Sequence, residues 1–89
     1  MYILFDIGAT KTRMAFSADG EVFEEPRVFE TSKNYEEGVK LFSETAKELA
    51  NGREIKKIVG GMSRSIAGWT YDGFKNSLNK VFPADVFVE

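Results

Sequence analysis

The sequence predicts an α/β fold, a five-stranded mixed sheet carrying two helices, in the chain order β-β-β-α-β-α-β. Three observations predict it. Short apolar or alternating runs are bounded by glycine, proline and asparagine, one longer segment has a helical period, and an Asp-Gly turn followed by Pro26 orders the first three strands.

Tyr2 to Phe5 is a continuous apolar run, as expected of a central strand buried on both faces. The second strand, about Thr12 to Ser17, sets Met14 and Phe16 on one side and Arg13 and Ser17 on the other. Ala18-Asp19-Gly20-Glu21 is a hairpin signal. A third strand is expected over Glu21 to Thr31, and Pro26, which has no N–H for a ladder, places it at an edge. The charges of Glu24, Glu25 and Arg27 suit an edge as well. Together these give the sheet order 3-2-1-4-5.

Tyr35, Val39, Phe42, Ala46 and Leu49 recur on one helical face. Asn34 can cap this helix with Glu37 in the capping-box position, and Asn51-Gly52 stops it. Glu36, Glu37, Lys40, Glu44, Lys47 and Glu48 form its solvated face. Ile55 to Val59 reads as the fourth strand. Tyr71 to Phe82 contains a short helix stopped by Pro83, and Ala84 to Val88 is the fifth strand.

At 89 residues the chain reads as one domain spanning 1–89. Its 43% apolar content and eight phenylalanines suffice for a core. Without cysteine or histidine there is no disulfide, thiol chemistry, Cys/His zinc site or histidine base. A net charge of −2 with no basic stripe argues against nucleic acid as a partner. No apolar run approaches the roughly 20 residues of a membrane helix. The N-terminus enters its first strand directly, leaving no room for a signal peptide, so a cytoplasmic protein is expected.

The chemistry is concentrated in Asp6-Ile7-Gly8-Ala9-Thr10-Lys11-Thr12. A carboxylate at a strand end can hold hydrated Mg2+, which keeps several waters. Gly8 allows unusual dihedrals and close approach to phosphate oxygens, while Thr10 and Thr12 bring hydroxyls and Lys11 a charge. Successive N–H groups can complete an anion nest. The plain alternative is a polar hairpin turn. A Walker loop is excluded, because it needs glycines where Thr10 and Phe5 stand, and because Arg13 to Ser17 continues as a strand rather than a helix.

Strand, phosphate-type turn and strand is the arrangement of the actin, hexokinase and sugar-kinase superfamily, and the element order matches its ribonuclease-H-like lobe. The chain resembles the N-terminal lobe of a ROK-family sugar kinase (repressor, open reading frame, kinase). Asp6 to Arg13 is similar to the family's phosphate-1 motif, with Ala9 in place of a second glycine. Ile66-Ala67-Gly68-Trp69 is similar to the Asn-Leu-x-Gly-Trp segment beside the sugar pocket, and Val86-Phe87-Val88-Glu89 to the strand leading into Glu-Asn-Asp.

The resemblance implies ATP and Mg2+ as cofactors and a sugar as substrate. Asp6, Gly8, Ala9, Thr10, Lys11 and Thr12 would bind the cofactor, Asp6 holding the metal. Ser65, where the family has a sugar-binding asparagine, and Glu89 would face the sugar. Arg64 is either a further sugar or phosphate ligand or a solvated loop charge. Trp69 and Tyr71 form either a sugar-stacking wall or core packing.

The departures are as informative. The family's catalytic aspartate lies in Glu-Asn-Asp, and this sequence stops at Glu89, so no catalytic residue is assigned and residues 1–89 alone are expected to be inactive. The segment after the fourth strand is cut down to Gly60-Gly61-Met62-Ser63-Arg64. The resemblance also implies a helix after the fifth strand. Without it one sheet face lies bare, so a homodimer or a partner lobe is expected. Two functions follow: half of an ATP-dependent sugar kinase of glucokinase type, or a non-catalytic hemi-domain that self-associates and binds phosphate or nucleotide weakly.

Overall fold

The computed structural model describes all residues, Met1–Glu89. In chain order the elements are β1 (Tyr2–Ile7), β2 (Lys11–Ser17), β3 (Arg27–Glu30), α1 (Tyr35–Ala50), β4 (Lys57–Met62), α2 (Tyr71–Val81) and β5 (Asp85–Val88). They build one five-stranded sheet in the order β3-β2-β1-β4-β5. The pairs β1–β2 and β2–β3 are antiparallel, while β1–β4 and β4–β5 are parallel. The predicted α/β class, strand order and two helices are all present.

Register divides the sheet into two faces. Ile3, Phe5 and Ile7 of β1 share a face with Phe16, Met14 and Thr12 of β2, and with Ile58 and Met62 of β4. Both helices pack on this side. Phe42 of α1 and Phe74 of α2 each stand edge-on to Phe5, at 5.3 and 5.6 Å between ring centres, and to each other at 5.1 Å. These edge-to-face contacts favour three rings in one place over their burial alone. The opposite face is open. There Ala15, Leu4, Val59 and Phe87 line up across four strands, with Leu4, Val59 and Phe87 exposed.

Three boundaries differ from the sequence reading. The third strand covers only Arg27–Glu30, not Glu21 to Thr31. Asp19 Oδ1 accepts from the N–H groups of Glu21 and Val22 at 2.8 and 3.1 Å, and Ser17 Oγ accepts from Gly20 N–H at 2.8 Å. This side-chain-closed turn holds the donors a longer strand would have used. Pro26 then supplies none, so the ladder starts one residue after it. The edge position itself is as predicted.

The fourth strand runs Lys57–Met62, past the expected end at Val59 and through two glycines. Gly60 pairs with Phe5, and a Cβ there would fall 2.0 Å from the Phe5 carbonyl oxygen and 2.6 Å from its ring. Glycine is therefore demanded inside this strand by close approach to the central aromatic. The first strand likewise extends to Ile7, which brings Asp6 into the sheet.

Helix α1 starts as expected, Asn34 Oδ1 accepting from Glu37 N–H at 3.0 Å. The reciprocal capping bond is absent, since Asn34 N–H donates to Ser32 Oγ at 3.1 Å. Asn51 ends the helix in the left-handed region (φ 50°), its N–H returning to Lys47 C=O. Thr70, unassigned from sequence, caps α2 by accepting from Gly73 N–H at 3.0 Å. No helix is long and apolar enough to cross a membrane.

Candidate functional site

Because β1, β4 and β5 run parallel, their carboxyl ends lie on one edge of the sheet, the edge where open α/β sheets place ligand groups. Three separated segments meet there: the turn Gly8–Thr10 after β1, the loop Ser63–Ser65 after β4, and Glu89 after β5. Ser63 N–H donates to Ile7 C=O at 2.8 Å, which ties the second segment to the root of the first. Glu89 N–H donates to Gly60 C=O at 2.9 Å and its carbonyl accepts from Met62 N–H at 2.8 Å.

The turn is closed by Gly8 N–H donating to Lys11 C=O at 2.9 Å. Ala9 and Thr10 form its exposed tip, and their amides donate to no protein acceptor. The tip is braced from the side by Thr31, just past β3. Thr31 N–H donates to Thr10 C=O at 2.9 Å and its hydroxyl to Gly8 C=O at 2.8 Å. With that proton placed, the contact of 2.8 Å between the Thr12 and Thr31 hydroxyls has Thr12 as donor. Exposed backbone amides without a protein acceptor are donors of the kind that can serve an anion.

Asp6 is exposed on the open face, with the Ile7–Thr12 and Gly8–Lys11 pairs between it and the tip. Its register neighbours are Arg13 on β2 and Gly61 on β4, and Gly61 puts no side chain beside the carboxylate. No three acidic, histidine or cysteine side chains come together anywhere in the chain. Asp6 therefore offers one carboxylate, a donor set that suits a hydrated Mg2+ completed by waters and phosphate oxygens.

Among the residues expected to bind the cofactor, Asp6, Gly8, Ala9, Thr10 and Lys11 lie together at the turn. Thr12 lies on the helix-side face, 3% exposed, its hydroxyl occupied by Thr31. Gly8 does not use the left-handed region, which is occupied by Gly20, Gly52, Gly68 and Asn51. Its small size matters instead, because a Cβ there would stand 3.2 Å from the Lys11 carbonyl oxygen. The role of Thr31 was not read from the sequence, where it is only the end of a polar strand.

On the β4 side, the Ser63 and Ser65 hydroxyls are 2.9 Å apart. Arg64 stacks over Tyr71 at 5.7 Å, and together with Trp69 they line an open recess of about 310 Å³. Trp69 itself is core. It is 7% exposed, edge-on to Tyr35 at 5.1 Å, and so close to α1 that a Cβ on Gly38 would fall 2.3 Å from its ring. Tyr71 O–H donates to Met62 C=O at 2.6 Å, fixing the end of β4. Packing thus accounts for both aromatics.

The topology is that of a ribonuclease-H-like lobe, with a braced turn and a carboxylate at the carboxyl edge of its parallel strands. In three dimensions the chain is similar to a ROK-family glucokinase from Streptomyces griseus solved with glucose and AMPPNP, with a TM-score of 0.80 at 16% identity, covering 99% of this chain and 32% of that one. It is also similar to the Aquifex aeolicus PPX-GPPA enzyme, with a TM-score of 0.59 at 20% identity, covering 99% of this chain and 35% of the other. A type II variant crystal structure of the Aquifex aeolicus Ppx/GppA phosphatase gives a TM-score of 0.55 at 18% identity, covering 99% and 35%. The chain thus spans about a third of the length of the structures it matches. In sequence it matches no protein-family model and no curated protein. At these identities the likeness establishes the fold, and the ROK-like lobe expected from the motifs is borne out at that level.

Proposed function

We propose that residues 1–89 are one domain, the phosphate-loop lobe of an ATP-dependent sugar kinase of the ROK, glucokinase-like type, working in the cytoplasm. The observation that carries this reading is the braced turn: free amides at Ala9 and Thr10, with the Asp6 carboxylate on the strand that leads into it, at the carboxyl edge of the sheet. The turn and Lys11 hold the terminal phosphates of ATP, Asp6 holds Mg2+ through its carboxylate, and Thr12 keeps the turn in shape. Magnesium supplies charge neutralisation on the phosphates, and phosphoryl transfer of this kind depends on positioning and electrostatics. Arg64, Ser65 and Glu89 face the sugar side of the same edge. No residue of 1–89 matches the family's catalytic aspartate, so this lobe binds and a base from outside these residues completes catalysis.

Titration of the 15N-labelled chain with Mg-AMPPNP tests the reading. Amide shifts confined to Asp6–Thr12 and the adjoining Ser63–Ser65 loop support it. Shifts scattered over the surface, or none at millimolar ligand, contradict it.

A second reading rests on the open face. The Ala15, Leu4, Val59 and Phe87 row is an apolar patch of the kind that marks interaction surfaces. A self-associating hemi-domain would bury it against a second copy by a two-fold axis. Sedimentation at micromolar concentration decides this, since a lasting 10.0 kDa monomer excludes it.

A further inference from the structure

The sheet ends on β3 at one side and on β5 at the other, and the two edges are unlike. β3 is short, follows Pro26 and carries Arg27 and Glu30, features that blunt an edge. β5 reads Asp85-Val86-Phe87-Val88, with neither proline nor a basic residue. Asp85 N–H donates to Lys56 C=O at 3.1 Å, and Glu89 N–H to Gly60 C=O at 2.9 Å. The odd-numbered residues thus face β4, and Val86 and Val88 turn their N–H and C=O groups away from the sheet. These groups neither donate to nor accept from any protein group. Val86 is buried and Val88 half-buried, a setting in which backbone groups are nearly always paired. Both line an open recess of about 320 Å³ between the β5 edge and Tyr71, Asp72 and Lys75 of α2.

Charge decides what fits this edge. Phe87 is 50% exposed on the open face, with Asp85 and Glu89 two residues away on either side. Asp85 stands beside Lys57 in the β4 register and forms no ion pair with it. Antiparallel pairing of two β5 strands through Val86 and Val88 would set Asp85 of each copy against Glu89 of the other. Like charges directly opposite are destabilising, so a second copy is disfavoured here. We propose that the β5 edge is a strand-addition site for an extended segment of another protein, apolar opposite Phe87 and lysine or arginine two places to either side. Main-chain bonds to Val86 and Val88 supply the pairing, and the flanking cations meet Asp85 and Glu89. The pattern reads the same in either strand direction. The site uses none of the amides of the Ala9–Thr10 turn, so it stands independently of the phosphate reading.

The test titrates the 15N-labelled chain with two end-capped peptides, Lys-Thr-Phe-Thr-Lys and Glu-Thr-Phe-Thr-Glu. The lysine peptide is expected to shift the Val86 and Val88 amides and slow their exchange. It should bind roughly threefold or more tighter than the glutamate peptide, because opposite charges replace like ones across the strands. Methylating its backbone nitrogens should abolish the shifts, and Asp85→Asn should narrow the preference for lysine. Equal binding of the two peptides, or binding that survives backbone methylation, overturns the proposal. So does the absence of shifts at millimolar peptide, or shifts confined to the Gly8–Thr12 turn. Slow exchange at Val86 and Val88 in the free chain that strengthens with protein concentration also overturns it, since that is self-pairing.

Discussion

The Thr12 hydroxyl donates to Thr31 Oγ1 at 2.8 Å, and Thr31 passes the chain on to the Gly8 carbonyl at 2.8 Å. A residue of β2 and one just past β3 thereby set the shape of the turn that presents Ala9 and Thr10. Thr31→Val keeps the volume and removes both bonds, leaving the buried Thr12 hydroxyl unpaired. The expected cost is about 1–3 kcal/mol, read as a lower urea midpoint, with faster amide exchange at Gly8 and Lys11. An unchanged midpoint and unchanged exchange count against the brace.

Gly60 and Gly61 are adjacent and respond oppositely to the same change. Gly60→Ala drives a Cβ to 2.0 Å from the Phe5 carbonyl, so backbone must move and the loss exceeds the roughly 1–3 kcal/mol of ordinary overpacking. The nearest atom to a Cβ on Gly61 is the Glu89 carbonyl oxygen at 3.7 Å, an ordinary contact. Gly61→Ala should fold with near-native stability, and denaturation of the two variants side by side measures the contrast.

This pair shows where sequence was legible. The order of the first three strands followed from the alternation, the Asp-Gly turn and Pro26 at an edge, which are local signals, while the element order matched a ribonuclease-H-like lobe. The Asp6 to Lys11 turn was legible because its residue types state their chemistry. The end of β4 was not, because a glycine reads as a break unless the ring of Phe5 is known to lie over it. Nor was the role of Thr31, since hydroxyl-to-carbonyl contacts across 23 residues depend on a register that no local pattern fixes. Trp69 was ambiguous for a related reason, its environment being made by Gly38 and Tyr35 on a distant helix.

Asp19 gives a pH prediction. Backbone N–H groups of Glu21 and Val22, then the Ser17 hydroxyl, hold its carboxyl below the usual value of 3.8. A depressed acid stabilises the fold fully above its unfolded value and ceases to as pH falls through the folded one. The turn over Ser17–Val22 should therefore stay intact at pH 4 to 7, roughly, and loosen only in stronger acid. Amide shifts of Glu21 and Val22 followed against pH check this, and a transition near neutrality would contradict it.

Phe74→Ala removes one ring of the Phe5, Phe42 and Phe74 cluster, with Phe74 wholly buried. A loss of about 3–5 kcal/mol is expected, a large share of the stability of so small a lobe. Thermal denaturation reads it, and a near-native midpoint would show that the helices are held by other contacts.

In the proposed function the turn after β1 binds phosphate, with magnesium held at Asp6. The most direct measurement is AMPPNP affinity with and without Mg2+, in wild type and in Asp6→Ala. Wild type should bind weakly and only with magnesium, since one turn offers few contacts, and Asp6→Ala should keep its fold and lose the magnesium dependence. Magnesium-free binding of AMPPNP that persists unchanged in Asp6→Ala would contradict the claim.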